Sequence, residues 1–221
     1  MKRVAFFDIN GTIIKRDDHT DIPFCRAVDI FLDRKDAMRG VDTSARSDKD
    51  VFIEVLGIHG REFNEEGWQN FLKLYEYQLK SFVNTDVWRE NADAVSFIDK
   101  LRYEGWLLSL ISGELSIGAE YKLKKIGVWD HFAFGAFGED GLKRFDIAEK
   151  AMEKAKSCCD FNVEDAIVIG DTVLDIKTAR HLGTKVVAIA TGSHSYEKLE
   201  SEKPDYLINK FCELDEKFFQ I

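Results

Sequence analysis

From residue 92 to residue 208 the chain repeats one pattern: an amphipathic helical stretch, then a short apolar run that stops at a small or polar residue. Ala94, Phe97, Ile98 and Leu101 share one face of a helix expected over about 92–102, and the apolar run 106–111 that follows ends at Ser112-Gly113. The same reading predicts helices near 116–125, 146–156 and 174–181, with strands near 132–137, 166–170, 185–190 and 205–208. A further apolar run, Val4 to Ile9, is halted by Asn10-Gly11-Thr12 and reads as a central buried strand. Strands alternating with helices require parallel pairing with crossover helices, so the fold expected is α/β, with a Rossmann-like parallel sheet core. The polar clusters follow the carboxyl ends of the strands, where open sheets of this kind place ligands.

Between about residues 20 and 82 the period changes from that of strands to that of helices. Phe24, Val28, Ile30, Phe31 and Leu32, then Val51, Phe52, Val55 and Leu56, then Trp68, Phe71, Leu72, Tyr75 and Leu79 recur at helical spacing. Three or four helices and no strand are expected there. The division that follows is a core of residues 1–14 and 88–221 interrupted by an α-helical cap domain of residues 15–87, lying over the carboxyl edge of the sheet.

A formal net charge of −9 is the wrong balance for a general nucleic-acid binder, which needs clustered Lys and Arg. It leaves room for a small phosphorylated metabolite, which needs only a local pocket of N–H groups, a cation or two and a metal. Cys25, Cys158, Cys159 and Cys212 show no CxxC spacing, and an adjacent pair is poor disulfide geometry; a reducing compartment fits. The apolar run after Met1-Lys2-Arg3 is too short for a signal peptide or a membrane span. The expectation is a cytoplasmic protein with no membrane partner.

Four clusters carry the chemistry: Asp8-Ile9-Asn10-Gly11-Thr12, Ser112-Gly113, Lys143-Arg144, and Gly170-Asp171-Thr172 with Asp175. In type, order and spacing they resemble the motifs of the haloacid dehalogenase superfamily, over roughly residues 1–14 and 88–210. The helical insert resembles the cap of phosphoglycolate phosphatases and β-phosphoglucomutases. Within it, Arg46-Ser47-Asp48 is similar to a Gly-Lys-Thr-Asp stretch of such caps, which makes Arg46 a substrate-contact candidate.

The resemblance implies a Mg²⁺-dependent phosphohydrolase acting on a small phosphate monoester. Phosphoryl transfer needs an in-line nucleophile and groups that hold the equatorial oxygens. Asp8, at a strand end, would attack phosphorus and form an aspartyl phosphate that water then hydrolyses. Hard oxygen ligands suit Mg²⁺, with Asp8 and Asp171 as side-chain ligands. The resemblance adds the backbone carbonyl of Asn10, with Asp175 behind. Thr12, Ser112 and Gly113 are expected to contact substrate, the last by letting its N–H approach closely. Lys143 is preferred over Arg144 as the cation that neutralises phosphate and Asp8. The five histidines have no metal spacing, and Trp68, Tyr75 and Trp88 read chiefly as packing residues.

Asn10 departs from the family, whose carboxylate at this place protonates the leaving oxygen and later activates water. An amide has no proton to exchange near neutral pH, and losing such help costs on the order of 100-fold to 10,000-fold in rate. Two explanations stand: an Asp-to-Asn exchange made to trap a complex, which the otherwise intact motifs favour, or a natural variant that is slow or uses another group. The rivals to a phosphatase are a phosphomutase and, from a different class, a non-catalytic phosphate-binding protein.

Overall fold

A computed structural model of the chain describes residues 2–43, 46–214 and 218. Six strands, β1 (Val4–Phe7), β2 (Leu107–Ile111), β3 (Phe134–Ala136), β4 (Ala166–Gly170), β5 (Lys185–Ile189) and β6 (Tyr206–Ile208), form one parallel sheet in the order β3-β2-β1-β4-β5-β6. β1 lies between β2 and β4, with Phe7 level with Leu110 on one side and Ile169 on the other. All four of its residues are fully buried, as its unbroken apolar run requires of a strand covered on both faces. The order reverses at β1, so the loops after β1, β2 and β4 meet at the switch point.

Alternation along β1 sends its side chains to two apolar layers. Val4 and Phe6 join a cluster with Ile147, Ala151 and Ala155 of α6 (Arg144–Cys158), Ile176 and Ala179 of α7 (Val173–Leu182), and Leu199 of α8 (Tyr196–Glu200). Ala5 and Phe7 face α4 (Ala94–Tyr103) and α5 (Ser116–Lys125) through Phe97, Ile98, Ala119 and Leu123. Helices therefore cover both faces, as the alternating sequence requires.

The stretch between β1 and α4 contains α1 (Ile22–Leu32), α2 (Asp48–Ile58) and α3 (Glu65–Phe82). Phe24, Phe52, Phe71 and Tyr75 interlock there, with Phe52 and Phe71 stacked 4.2 Å apart and Phe24 edge-on to Phe71 at 5.3 Å. Each such ring removed from water contributes roughly 1.5–3 kcal/mol. Their cluster is continuous with the one under Ala5 and Phe7, so α1–α3 and that side of the sheet share one apolar layer.

Sequence explains the helix starts nearest the strand ends. Ser47 caps α2 by accepting from Asp50 N–H at 3.2 Å. Thr172 caps α7, and Asp175 returns a bond to the Thr172 N–H, closing a capping box. α8 was not anticipated; at five residues it is too short to display a period, and only its Ser195 cap marks it.

Candidate active site

Asp8 leaves β1 with its N–H still bonded to Ile169 O at 2.9 Å, which fixes its carboxylate at the sheet edge. The turn that follows depends on Gly11, at φ +95°, where a Cβ would stand only 2.5 Å from Asp171 Oδ2. Its carbonyl accepts from Asn91 Nδ2 at 2.8 Å and Thr191 Oγ1 at 2.7 Å, tying three loops together. Asp171 follows β4, and Asp175 lies one helical turn on. One carboxylate oxygen from each of Asp8, Asp171 and Asp175 lies within 4.8 Å of the others.

A single guanidinium enters this group. Arg144 Nη2 donates to Asp8 Oδ1 at 3.1 Å and to Asp175 Oδ1 at 2.5 Å, with its side chain 8% exposed. Its Nε–H is buried without a hydrogen-bond partner among the described residues. Lys143, the cation expected here, is exposed and occupies the N-cap of α6. This corrects the sequence reading: one residue further on, the first turn of α6 swings the side chain inward to the sheet edge.

The carboxylates are held against their preference for charge. Burial pushes Asp8 well above the ordinary carboxylate range, opposed by Arg144 and reinforced by Asp175 and Asp171. Asp171 is raised to about 6, by burial first and then by Asp175, although Ser193 N–H donates to it. Three crowded acids, of which only Asp8 and Asp175 bond a cation, are a poor arrangement alone and a good one for a hard divalent ion, which takes carboxylate oxygens. The donor set fits Mg²⁺.

Thr12 does not line the pocket as expected of a substrate contact. It is fully buried, and its hydroxyl lies 3.5 Å from Asp8 Oδ2 and 3.4 Å from Asp171 Oδ1, so it orients the acids from beneath. Ser112 does line the pocket, its Oγ accepting from Glu114 N–H at 3.2 Å. Gly113 lines it too, but the space left by its missing side chain is filled by the Arg46 carbonyl, not kept clear for a ligand. Gly113 O also accepts from Asp48 N–H at 2.8 Å. Arg46 reaches the pocket wall, yet its guanidinium is engaged by Asp50 at 2.8 Å, by Glu54 and by the Asp42 carbonyl. Arg46 thus stays at the pocket wall, as a substrate-contact candidate should, with its charge already shared with α2.

Around Asn10 stands a group that sequence reasoning missed. Asn10 Nδ2 donates to Glu114 Oε2 at 3.1 Å, while Asn10 Oδ1 accepts from Lys122 Nζ at 3.0 Å. Lys122 pairs with Glu114 Oε1 at 2.7 Å, and both side chains are at least 96% buried. Tyr75 also donates to Glu114, at 3.4 Å, and lines the pocket, so it is more than packing. Burial raises Glu114, and Lys122 draws it back. The signal that could have found Lys122 is its place on the inner face of α5, one turn from Gly118 and Ala119. His194, read as merely surface or core, accepts from Val173 N–H at the start of α7. No helix among the described residues is long and apolar enough to cross a membrane.

A switch-point pocket with acids after β1 and β4 is the arrangement of a phosphate- and metal-binding centre, and comparison with known proteins points to the haloacid-dehalogenase-like hydrolases. The HAD-hydrolase-like family profile matches residues 146–214. A protein of Caldanaerobacter subterraneus subsp. tengcongensis carrying the PpaX pyrophosphatase name is 28% identical over 214 residues, spanning 95% of this chain and 91% of its own. The pyrophosphatase PpaX of Bacillus mycoides is 22% identical over 95% of this chain and 94% of its own. Among solved structures, CbbY from Rhodobacter sphaeroides in complex with phosphate superposes with a TM-score of 0.72 at 15% identity, covering 100% of both chains. A family IA, variant 3 HAD hydrolase from Entamoeba histolytica gives 0.67 at 18% identity, covering 99% of this chain and 97% of that one. These matches support a haloacid-dehalogenase-like hydrolase of the phosphatase kind.

Proposed function

We propose that the chain is a Mg²⁺-dependent phosphohydrolase that cleaves a small phosphate monoester through a phosphorylated Asp8. The observation that carries this is the trio Asp8, Asp171 and Asp175, with Arg144 bonded to the first and last and its buried Nε–H without a partner among the described residues. Asp8 attacks phosphorus, and Arg144 offsets charge on the transferring group while holding the Asp8 carboxylate in place. Ser112 Oγ and neighbouring N–H groups at the end of β2 supply donors to the phosphoryl oxygens. A bound Mg²⁺, held by Asp8, Asp171 and the Asn10 carbonyl with Asp175 behind, would offset the negative charge shared by nucleophile and substrate.

In this reading residues 15–87 act as the cap, whose Asp48, Tyr75 and Phe24 line the same pocket and choose the substrate. Asn10 makes turnover slow, because water attack on the phosphorylated Asp8 has no base at residue 10. The test is acid-quench trapping with Mg²⁺ and p-nitrophenyl phosphate. An acid-stable phosphoprotein, absent from the Asp8→Asn variant, is expected. Its absence from the unmodified chain rejects the mechanism. Release of free phosphate, not a rephosphorylated product, separates hydrolysis from mutase action.

A further inference from the structure

Of the charged side chains in the pocket wall outside the Asp8 group, all but one have an opposite charge at hand. Arg46 is held by Asp50 and Glu54, Glu114 by the buried Lys122, and Arg16 stands 3.6 Å from Asp21. Asp48 is the exception, with no ion-pair partner among the described residues. Leu115 N–H donates to its Oδ2 at 2.9 Å, and no described residue donates to its Oδ1. Burial pushes Asp48 well above the ordinary carboxylate range, and the Glu114 carboxylate adds to the rise, so its charge is costly until a cation offsets it.

Asp48 is also fixed close to the groups that would hold phosphate. Its N–H bonds Gly113 O at 2.8 Å, one residue beyond Ser112, so a short leaving group reaches both. A carboxylate there repels a ligand that is only an anion and attracts one that also carries a cation. The pocket offers both kinds of partner. Arg144, 8% exposed and with its Nε–H unpartnered among the described residues, supplies a donor to an anion. Phe24 and Tyr75, edge-on at 5.6 Å, line the pocket with Asp48, and aromatic rings beside a carboxylate receive ammonium groups. Resting on the phosphohydrolase reading, we propose that the substrate is a small phosphorylated amino alcohol, with its phosphate at Asp8 and Arg144 and its ammonium group at Asp48. Asp48 is then the residue that sets specificity, and an ester with a carboxylate in place of the ammonium is refused, because the Arg46 guanidinium is already engaged by Asp50 and Glu54.

The experiment is competition against phosphorylation of the full chain by p-nitrophenyl phosphate with Mg²⁺. The competitors are 2-aminoethyl phosphate, propyl phosphate and 2-phosphoglycolate, which carry an ammonium, a methyl and a carboxylate at similar reach. The inhibition constant of the aminoethyl ester is expected to lie at least about 10-fold below that of the propyl ester, the least that one hydrogen bond between charged groups supplies, with 2-phosphoglycolate weakest. Asp48→Asn is expected to bring the aminoethyl and propyl esters within about 3-fold of each other, whereas a merely structural Asp48 would weaken all three alike. Equal constants, a preference for 2-phosphoglycolate, no inhibition by any of the three, or a ratio unaltered by Asp48→Asn overturns the assignment. The order in the unmodified chain decides by itself if the variant does not fold. No phosphoprotein from p-nitrophenyl phosphate rejects the phosphohydrolase reading and this substrate with it, whereas phosphoprotein with a flat or inverted series rejects the substrate alone.

Discussion

Around Asp8 three carboxylates crowd together and only two of them bond the Arg144 guanidinium, whereas around Asn10 one carboxylate and one ammonium are joined through an amide. Both groups are buried at the same sheet edge, yet the first carries surplus negative charge and a donor without a partner among the described residues, and the second is closed on itself. A buried charge that is paired and hydrogen-bonded belongs to the scaffold, while surplus buried charge is tolerable only where a ligand offsets it. The difference separates the part of the pocket that receives from the part that supports.

The largest expected effect falls on the receiving side. Asp8→Asn should remove phosphoprotein formation by on the order of 10,000-fold or more while leaving the fold intact, checked by acid quench beside a urea melt. Lys122→Met should act the other way round, costing about 3–5 kcal/mol of stability by stranding Glu114, as read from urea denaturation. Adding Glu114→Gln to it should recover much of that loss, and strictly additive losses would break the comparison.

The receiving side should also show in the pH dependence of stability. Asp171 sits at about 6 in the fold against roughly 3.9 in an unfolded chain. Between those values the folded state holds more protons, so metal-free protein should lose stability as pH rises from 4 to 7, by up to about 3 kcal/mol. Saturating Mg²⁺ should flatten the loss, and urea melts with EDTA and with Mg²⁺ measure both. Gly113→Ala should cost roughly 1–3 kcal/mol by pushing on the Arg46 carbonyl. Lys143→Ala should change stability by less than about 0.5 kcal/mol and phosphorylation hardly at all, because its side chain is on the surface.

The sheet was legible because parallel strands covered on both faces must be continuous apolar runs, and Val4–Phe7 and Ala166–Gly170 are unmistakable. So were the acids, since each follows such a run. What stayed hidden depends on which way a side chain turns once packed. Lys143 and Arg144 are adjacent cations, and only the start of α6 decides which one enters. Lys122 and Glu114 are eight residues apart on a helix and the loop before it, and Asn10 is 104 residues from Glu114 in sequence. Their partnership exists only in three dimensions. The anionic partners of Arg46, Asp50 and Glu54, likewise appear along α2 only when the helix is drawn.

The contact that fills the space beside Gly113 is part of a longer seam. Asp48 N–H on Gly113 O, Leu115 N–H on Asp48 Oδ2 at 2.9 Å, and Ser47 Oγ on Leu142 O at 3.2 Å stitch the start of α2 to the loops after β2 and β3. At about 1 kcal/mol net for each bond, parting the seam costs roughly 3 kcal/mol and leaves the opened state at about one molecule in a hundred. The pocket wall thus travels with the sheet edge as one piece, because three hydrogen bonds would have to let go together before the two could part.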